Sequence, residues 1–151
     1  MTPIAPTASK RSSGRDHWAI PLIGRRYRER AKGPDAFSCL GLLQYVWREK
    51  FGFDVPDVID HAAPCFRATA RGEVYHAPGF LVVPTPGYQE FDAVFMTSQH
   101  LPHHVGIYIE PDRRGGVLHA IVGAGVVFQR MTDLQLHGLS VLHAVRLERE
   151  K

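Results

Sequence analysis

Residues 38–52, SCLGLLQYVWREKFG, decide the fold. Leu42, Leu43, Val46 and Trp47 recur at the spacing of one helix face, while Arg48, Glu49 and Lys50 point away from it, which predicts an amphipathic helix. Ser38 is a favourable N-cap and Gly52 a natural stop, so the helix has both ends marked. A cysteine, Cys39, stands in its first turn. There the unpaired backbone N–H groups and the positive end of the helix dipole favour a thiolate, the nucleophilic form of the side chain. The same N–H groups can face the oxyanion that develops when a carbonyl is attacked.

Upstream, the apolar stretch WAIPLIG leads to Tyr27 and the turn signal Gly33-Pro34-Asp35. Residues 1–16 are rich in Ser, Thr, Pro and basic side chains and read as a flexible basic arm, mobile when free, with the folded domain spanning 17–151. Downstream, residues 57–70 predict a second, poorer helix that Pro64 would end or kink. From Phe91 on, short β-rich runs are separated by Gly, Pro and Asp: 92–97, 104–109, 116–121, 125–129 and 140–147. Their short connections predict an antiparallel meander, so the fold class is α+β, with the long helix covering one face of the sheet.

The chain of 151 residues carries 44% apolar and 22% charged residues, ordinary for one globular domain. Eighteen Lys and Arg against fifteen Asp and Glu leave a net charge of +3 with no long cationic block, which argues against nucleic acid as a partner. No run approaches the roughly 18 apolar residues of a membrane span, and the N-terminal stretch lacks a secretory signal, so an extracellular substrate would require another route of delivery. Cys39 and Cys65 lie in unlike contexts. Cys65, beside Pro64, reads as a buried structural residue.

Within HVGIYI (104–109), alternation puts His104, Gly106 and Tyr108 on one face, and in GVLHAI (116–121) His119 shares a face with Val117 and Ile121. A hairpin turning between Pro111 and Asp112 sets His104 directly opposite His119, with Cβ atoms about 5 Å apart. Moving the turn centre by one residue leaves the two on the same face as diagonal neighbours. Paired imidazoles suit a division of labour in which His104 is the base for the thiol and His119 fixes its tautomer. Histidines 17, 61, 76, 100, 103, 137 and 143 read as structural or solvent-facing. His100, His103 and His104 lack the close Cys pair or HExxH spacing of a zinc site, so no metal or other cofactor is expected.

The segment YRERAKGPDAFSCLGLL (27–43) resembles the surroundings of the nucleophile in NlpC-type cell-wall peptidases. HHVGIYI (103–109) resembles that family's base-bearing strand, and VLHA (117–120) its next strand, which carries the third polar residue. The likeness runs from about Trp18 to Gln129. It implies a papain-like α+β fold, with the nucleophile helix packed on an antiparallel β-sheet. It also implies amide hydrolysis in peptidoglycan peptide stems, with Cys39, His104 and His119 as catalytic residues and Tyr27 helping the backbone of Cys39 at the oxyanion. Ser38 stands where the family usually has Asp, and Leu40 where it has Ser or Trp. Ser38 can still cap the helix, but any charge-based role of the Asp is lost.

HWAIPLIG, GPDAFSC and YVWREKFG are further similar to the branch of that family found in bacteriophage tail tips. This implies a virion location at the tail tip, tail-tip hub proteins as partners, and delivery to the host wall without a signal peptide. The alternatives are a structural tail-tip subunit that keeps the fold without hydrolysis, and a secreted wall-degrading toxin.

Overall fold

The computed structural model describes residues 17–57, 63–101 and 103–151; the arm read at 1–16 lies outside them. WAIPLIG contains a short 3-10 turn at Ile20–Leu22. Strands β1 (Arg26–Tyr27) and β2 (Ala36–Phe37) form a small parallel pair and lead into α1 (Cys39–Phe51). There follow α2 (Pro64–Ala70), β3 (Tyr75–Ala77), β4 (Phe80–Thr85), β5 (Ala93–Thr97), β6 (His104–Ile109), β7 (Gly116–Ile121), β8 (Gly125–Arg130), α3 (Met131–Leu136) and β9 (Ser140–Arg149).

Helix α1 has both expected ends. The Ser38 hydroxyl accepts from the N–H of Gly41 at 3.0 Å, and Gly52 closes the helix in the left-handed region at φ 75°. Its apolar face, Leu42, Leu43, Val46 and Trp47, is buried against Val105, Ile107, Ile109 and Leu118 of the sheet. Burying side chains of this size stabilises by about 1.5–3 kcal/mol each before the entropy of ordering them is counted, enough to fix the helix on the sheet. Trp47 adds a specific tie, its indole N–H donating to the Phe91 carbonyl at 2.9 Å.

The sheet has seven strands in the order β3-β4-β9-β5-β6-β7-β8, with every named pairing antiparallel. β5 to β8 form the meander expected from the short connections. β9 departs from it, returning past α3 to lie between β4 and β5. By alternation the sheet has two buried faces: Phe95, Val105, Ile107 and Val145 lie under α1, and Val94, Met96, Tyr108 and Val117 pack with Leu134 of α3.

Several elements differ from the sequence reading. Pro64 opens α2 at its first position, where its missing N–H costs nothing, instead of kinking a helix from its interior. The hairpin of β3 and β4 precedes Phe91, where no strand was expected. Pro84 sits inside β4, a residue that usually disqualifies a strand, and is tolerated because β3 pairs only with Phe80 to Val82 and leaves that edge open. The β6–β7 hairpin pairs Ile107 with Leu118 and Ile109 with Gly116, so its turn is centred between Asp112 and Arg113. His104 and His119 are therefore diagonal neighbours, not directly opposed.

Candidate active site

Two short segments bring Tyr27 and Cys39 to one wall. The carbonyl of Ala31 accepts from the backbone N–H of Ser38 at 2.9 Å, which folds the loop after Tyr27 back over the start of α1. Gly41 permits this approach, since a Cβ there would stand 1.8 Å from the Ala31 oxygen. Tyr27, Glu29, Arg30, Lys32 and Asp57 join Cys39 around a cleft of about 690 Å³, within the size range of ligand sites.

The other half of the site comes from the sheet. His104 Nε2 lies 2.7 Å from His119 Nδ1, and His119 Nε2 lies 2.7 Å from the side-chain oxygen of Gln129 on β8. Both imidazoles are buried, at 2% and 0% exposure. Gly106 makes the diagonal contact feasible. Continuing the register sets it level with His119, and a Cβ at 106 would lie 2.3 Å from Val117 Cγ1 and 3.0 Å from His119 Cβ. Without a side chain there, the His119 ring can cross toward His104.

The two halves meet at Val105. Tyr108 exchanges backbone bonds with Phe91 and Asp92 on the β5 side, so by alternation the N–H of Val105 points the other way, where pairing with β7 begins only at Ile107. That N–H, one residue along the strand from His104, serves the Cys39 sulfur. His104 Nε2 is committed to His119, so Nδ1 is the ring nitrogen of His104 that this contact leaves over.

The electrostatics differ from the simple helix-end expectation. Burial, with the Glu29 carboxylate adding to it, pushes the Cys39 thiol above its usual range, while the N–H groups of Val105, Leu40 and Cys39 itself pull it down. Desolvation outweighs the helix end, so the resting sulfur is a thiol. Burial and the neighbouring His119 push His104 down to about 3, and burial also lowers His119. The Cys39 thiol and the two imidazoles are therefore all neutral at rest. Tyr27 is held above its usual range by burial and then by Cys39 and Glu29, so its hydroxyl keeps its proton and can donate.

Cys65 is 3% exposed, and burial pushes its thiol up to about 11, as befits a core residue. Among the other histidines, His17 contacts the Glu90 carboxylate, His143 stacks on Phe95, and His61 lies outside the described residues. Among the described residues no cluster of His, Cys, Asp or Glu could hold a metal ion. The sequence reading passed over Gln129. The signal for it was a single polar side chain closing the strand GVVFQ on the face that carries Val127, and Val127 pairs with His119.

A sequence model of the NlpC/P60 family matches residues 24–140. Among solved structures, the chain is similar to the NlpC/p60 domain of peptidoglycan hydrolase SagA, with 22% identity and a TM-score of 0.54 over 85% of this chain and 92% of that one. At that identity the likeness speaks for the fold, which is the papain-like α+β arrangement. No curated protein matches the chain.

Proposed function

The chain belongs to the NlpC/P60 family, and from that premise we propose that it is a cysteine endopeptidase that hydrolyses amide bonds in the peptide stems of peptidoglycan. The observation that carries this reading is the 2.7 Å contact of His104 with His119, beside a backbone N–H that serves the Cys39 sulfur. In the proposed reaction, the Cys39 proton passes to His104 Nδ1 as the sulfur attacks the carbonyl carbon, since neither group is charged at rest. The oxyanion is received by the N–H of Cys39 and the hydroxyl of Tyr27. His104 then protonates the departing amine, and water, deprotonated by the same imidazole, releases the acyl group.

The test is incubation of purified peptidoglycan with the wild-type chain and with Cys39→Ala, followed by mass spectrometry of the soluble fragments. New amine and carboxyl termini within the stems, absent with the variant, are the expected result. Fragments that appear equally with both proteins would overturn the assignment of Cys39. No fragments from either would favour a tail-tip subunit that keeps the fold without the reaction.

The tail-tip location is part of the same proposal, supported by the likeness of HWAIPLIG, GPDAFSC and YVWREKFG to the phage branch. No helix among the described residues is long and apolar enough to cross a membrane. In the proposed reading a phage tail brings the domain to the wall. Detection of the chain in purified virions, localised to the tail by immunogold labelling, is the expected outcome. Its release from a bacterium through a secretion machine, without virions, would replace the tail by a toxin route.

A further inference from the structure

The contact between His104 and His119 does not end at the second histidine, because His119 passes it on to Gln129. We infer that Gln129 is a positioning residue of the site, whose side-chain carbonyl sets the tautomers of His119 and His104 and so keeps the bare nitrogen of His104 toward the Cys39 thiol. This deepens the peptidase reading and rests on it.

β6, β7 and β8 each contribute one polar side chain to the same sheet face. His119 is diagonal to His104 on one side, and Gln129 is diagonal to His119 on the other, because Val127 is its direct partner. An amide oxygen only accepts, so the His119 nitrogen 2.7 Å from Gln129 Oε1 must carry the ring proton. A neutral imidazole has one N–H, which leaves His119 Nδ1 bare. That bare nitrogen faces His104 Nε2 at 2.7 Å, so Nε2 carries the proton and Nδ1 of His104 keeps its lone pair for the thiol. Burial keeps both rings neutral, so one proton per ring is the relevant state.

Rotating the Gln129 amide by half a turn would reverse the chain. Its NH2 would donate to His119 Nε2, every ring proton would move to the other nitrogen, and His104 would present an N–H to the S–H of Cys39. Two donors would face each other and the base would be lost. During the reaction the thiol proton moves to His104 Nδ1, and the resulting imidazolium donates through Nε2 to His119, itself held by the Gln129 carbonyl. The cation is thus stabilised by aligned dipoles with no carboxylate in the chain.

The test compares the full-length wild type with Gln129→Met, which keeps the length but replaces the amide oxygen by a thioether that accepts only weakly, and Gln129→Glu, which can only accept. Long-range proton–nitrogen NMR correlations of histidine-labelled protein read which ring nitrogens carry protons, and iodoacetamide reads Cys39 reactivity across pH. Wild type is expected to hold the Nε2–H tautomer at both rings. Gln129→Met is expected to mix the tautomers and slow alkylation about tenfold or more, the scale on which orienting partners act. Gln129→Glu should restore the tautomer and the rate, with His104 ionising at higher pH. An unaltered tautomer and rate in Gln129→Met, or no rescue by Gln129→Glu, would overturn the proposal. Peptidoglycan cleavage is followed separately, and its absence in wild type alongside the tautomer response would sink the peptidase reading alone.

Discussion

The hydroxyl of Ser38 donates to the carbonyl of Ala31 at 3.3 Å while accepting from the N–H of Gly41 at 3.0 Å. One side chain thereby caps α1 and holds down the loop that carries Tyr27. An aspartate, the residue the family usually places there, could make the cap but has no proton for Ala31 when ionised. Ser38→Ala should cost about 1 kcal/mol through the lost cap, a drop of about 2–4 °C in Tm for a chain of this size. Ser38→Asp should retain the cap yet set a carboxylate against the Ala31 oxygen and beside the sulfur. The added charge pushes the thiol further up, so alkylation of Cys39 at pH 7 should be slower than in wild type. An Asp variant that reacts faster would mean that the Ser38 to Ala31 bond is not what suits this site to serine.

Gly106 offers a sharper mechanical test. A methyl group there would meet Val117 Cγ1 at 2.3 Å, the Leu118 oxygen at 2.9 Å and His119 Cβ at 3.0 Å. Two of these neighbours are fixed by the β7 backbone, so β6 and β7 must shift apart. Gly106→Ala is expected to lose about 1–3 kcal/mol, the usual cost of overpacking, and to break the His104 to His119 contact. Denaturant unfolding measures the first and histidine NMR the second. Preservation of both would place the room for the His119 ring elsewhere.

What was legible in the sequence follows from how local each signal is. The helix at 39–51 has a cap, a periodic face and a stop within fifteen residues, and its boundaries were readable without any partner. The two histidines could be put on one face by alternation alone, but the register depended on where a polar turn through Pro111, Asp112 and Arg113 centres, and no residue in it forces the choice. β4 was hidden because its proline is harmless only where β3 ends, a fact of pairing and not of composition. Asp92 was equally invisible. It is 1% exposed and binds Arg146 through two bonds of 2.9 and 2.8 Å, joining residues that are far apart in the chain and adjacent only because β9 inserts beside β5. The opposing influences on the Cys39 thiol are unequally legible too: the helix end is a local feature, whereas the burial that raises the thiol depends on the folded surroundings.

The buried histidines should leave a signature in the pH dependence of stability. In the unfolded chain each titrates near its ordinary value of about 6.5. In the folded chain His104 is pushed to about 3 by burial and by His119, and His119 is lowered as well, chiefly by burial. Below about pH 6.5 the unfolded state binds protons that the folded state refuses, so stability falls as pH falls, by about 1.4 kcal/mol per pH unit for His104, with His119 acting in the same direction. Above that pH the two groups contribute no slope. Urea unfolding at intervals between pH 7.5 and pH 5 should show the decline, and His104→Gln together with His119→Gln should flatten it. The same slope in the double variant would assign the acid sensitivity to other groups.

The atoms that touch also order the substitutions at the two histidines. If the proposed reaction holds, His104→Ala removes the proton carrier and should cut peptidoglycan hydrolysis about 10²- to 10⁴-fold, the range of general acid–base contributions. At His119 the nitrogen that meets His104 is Nδ1, which occupies the place an asparagine Oδ1 would take. His119→Asn can therefore still accept from His104 Nε2–H, while His119→Gln carries its oxygen one bond further, toward the position now held by Nε2 and Gln129. His119→Leu accepts nothing. Residual activity should rank Asn above Gln above Leu, with every His119 variant above His104→Ala, and the Asn enzyme should keep the Nε2–H tautomer at His104 in NMR spectra. A ranking that put Gln first would mean that His119 works through its outer nitrogen. Equal losses at positions 104 and 119 in folded protein would remove the distinction between a base and the residue that orients it.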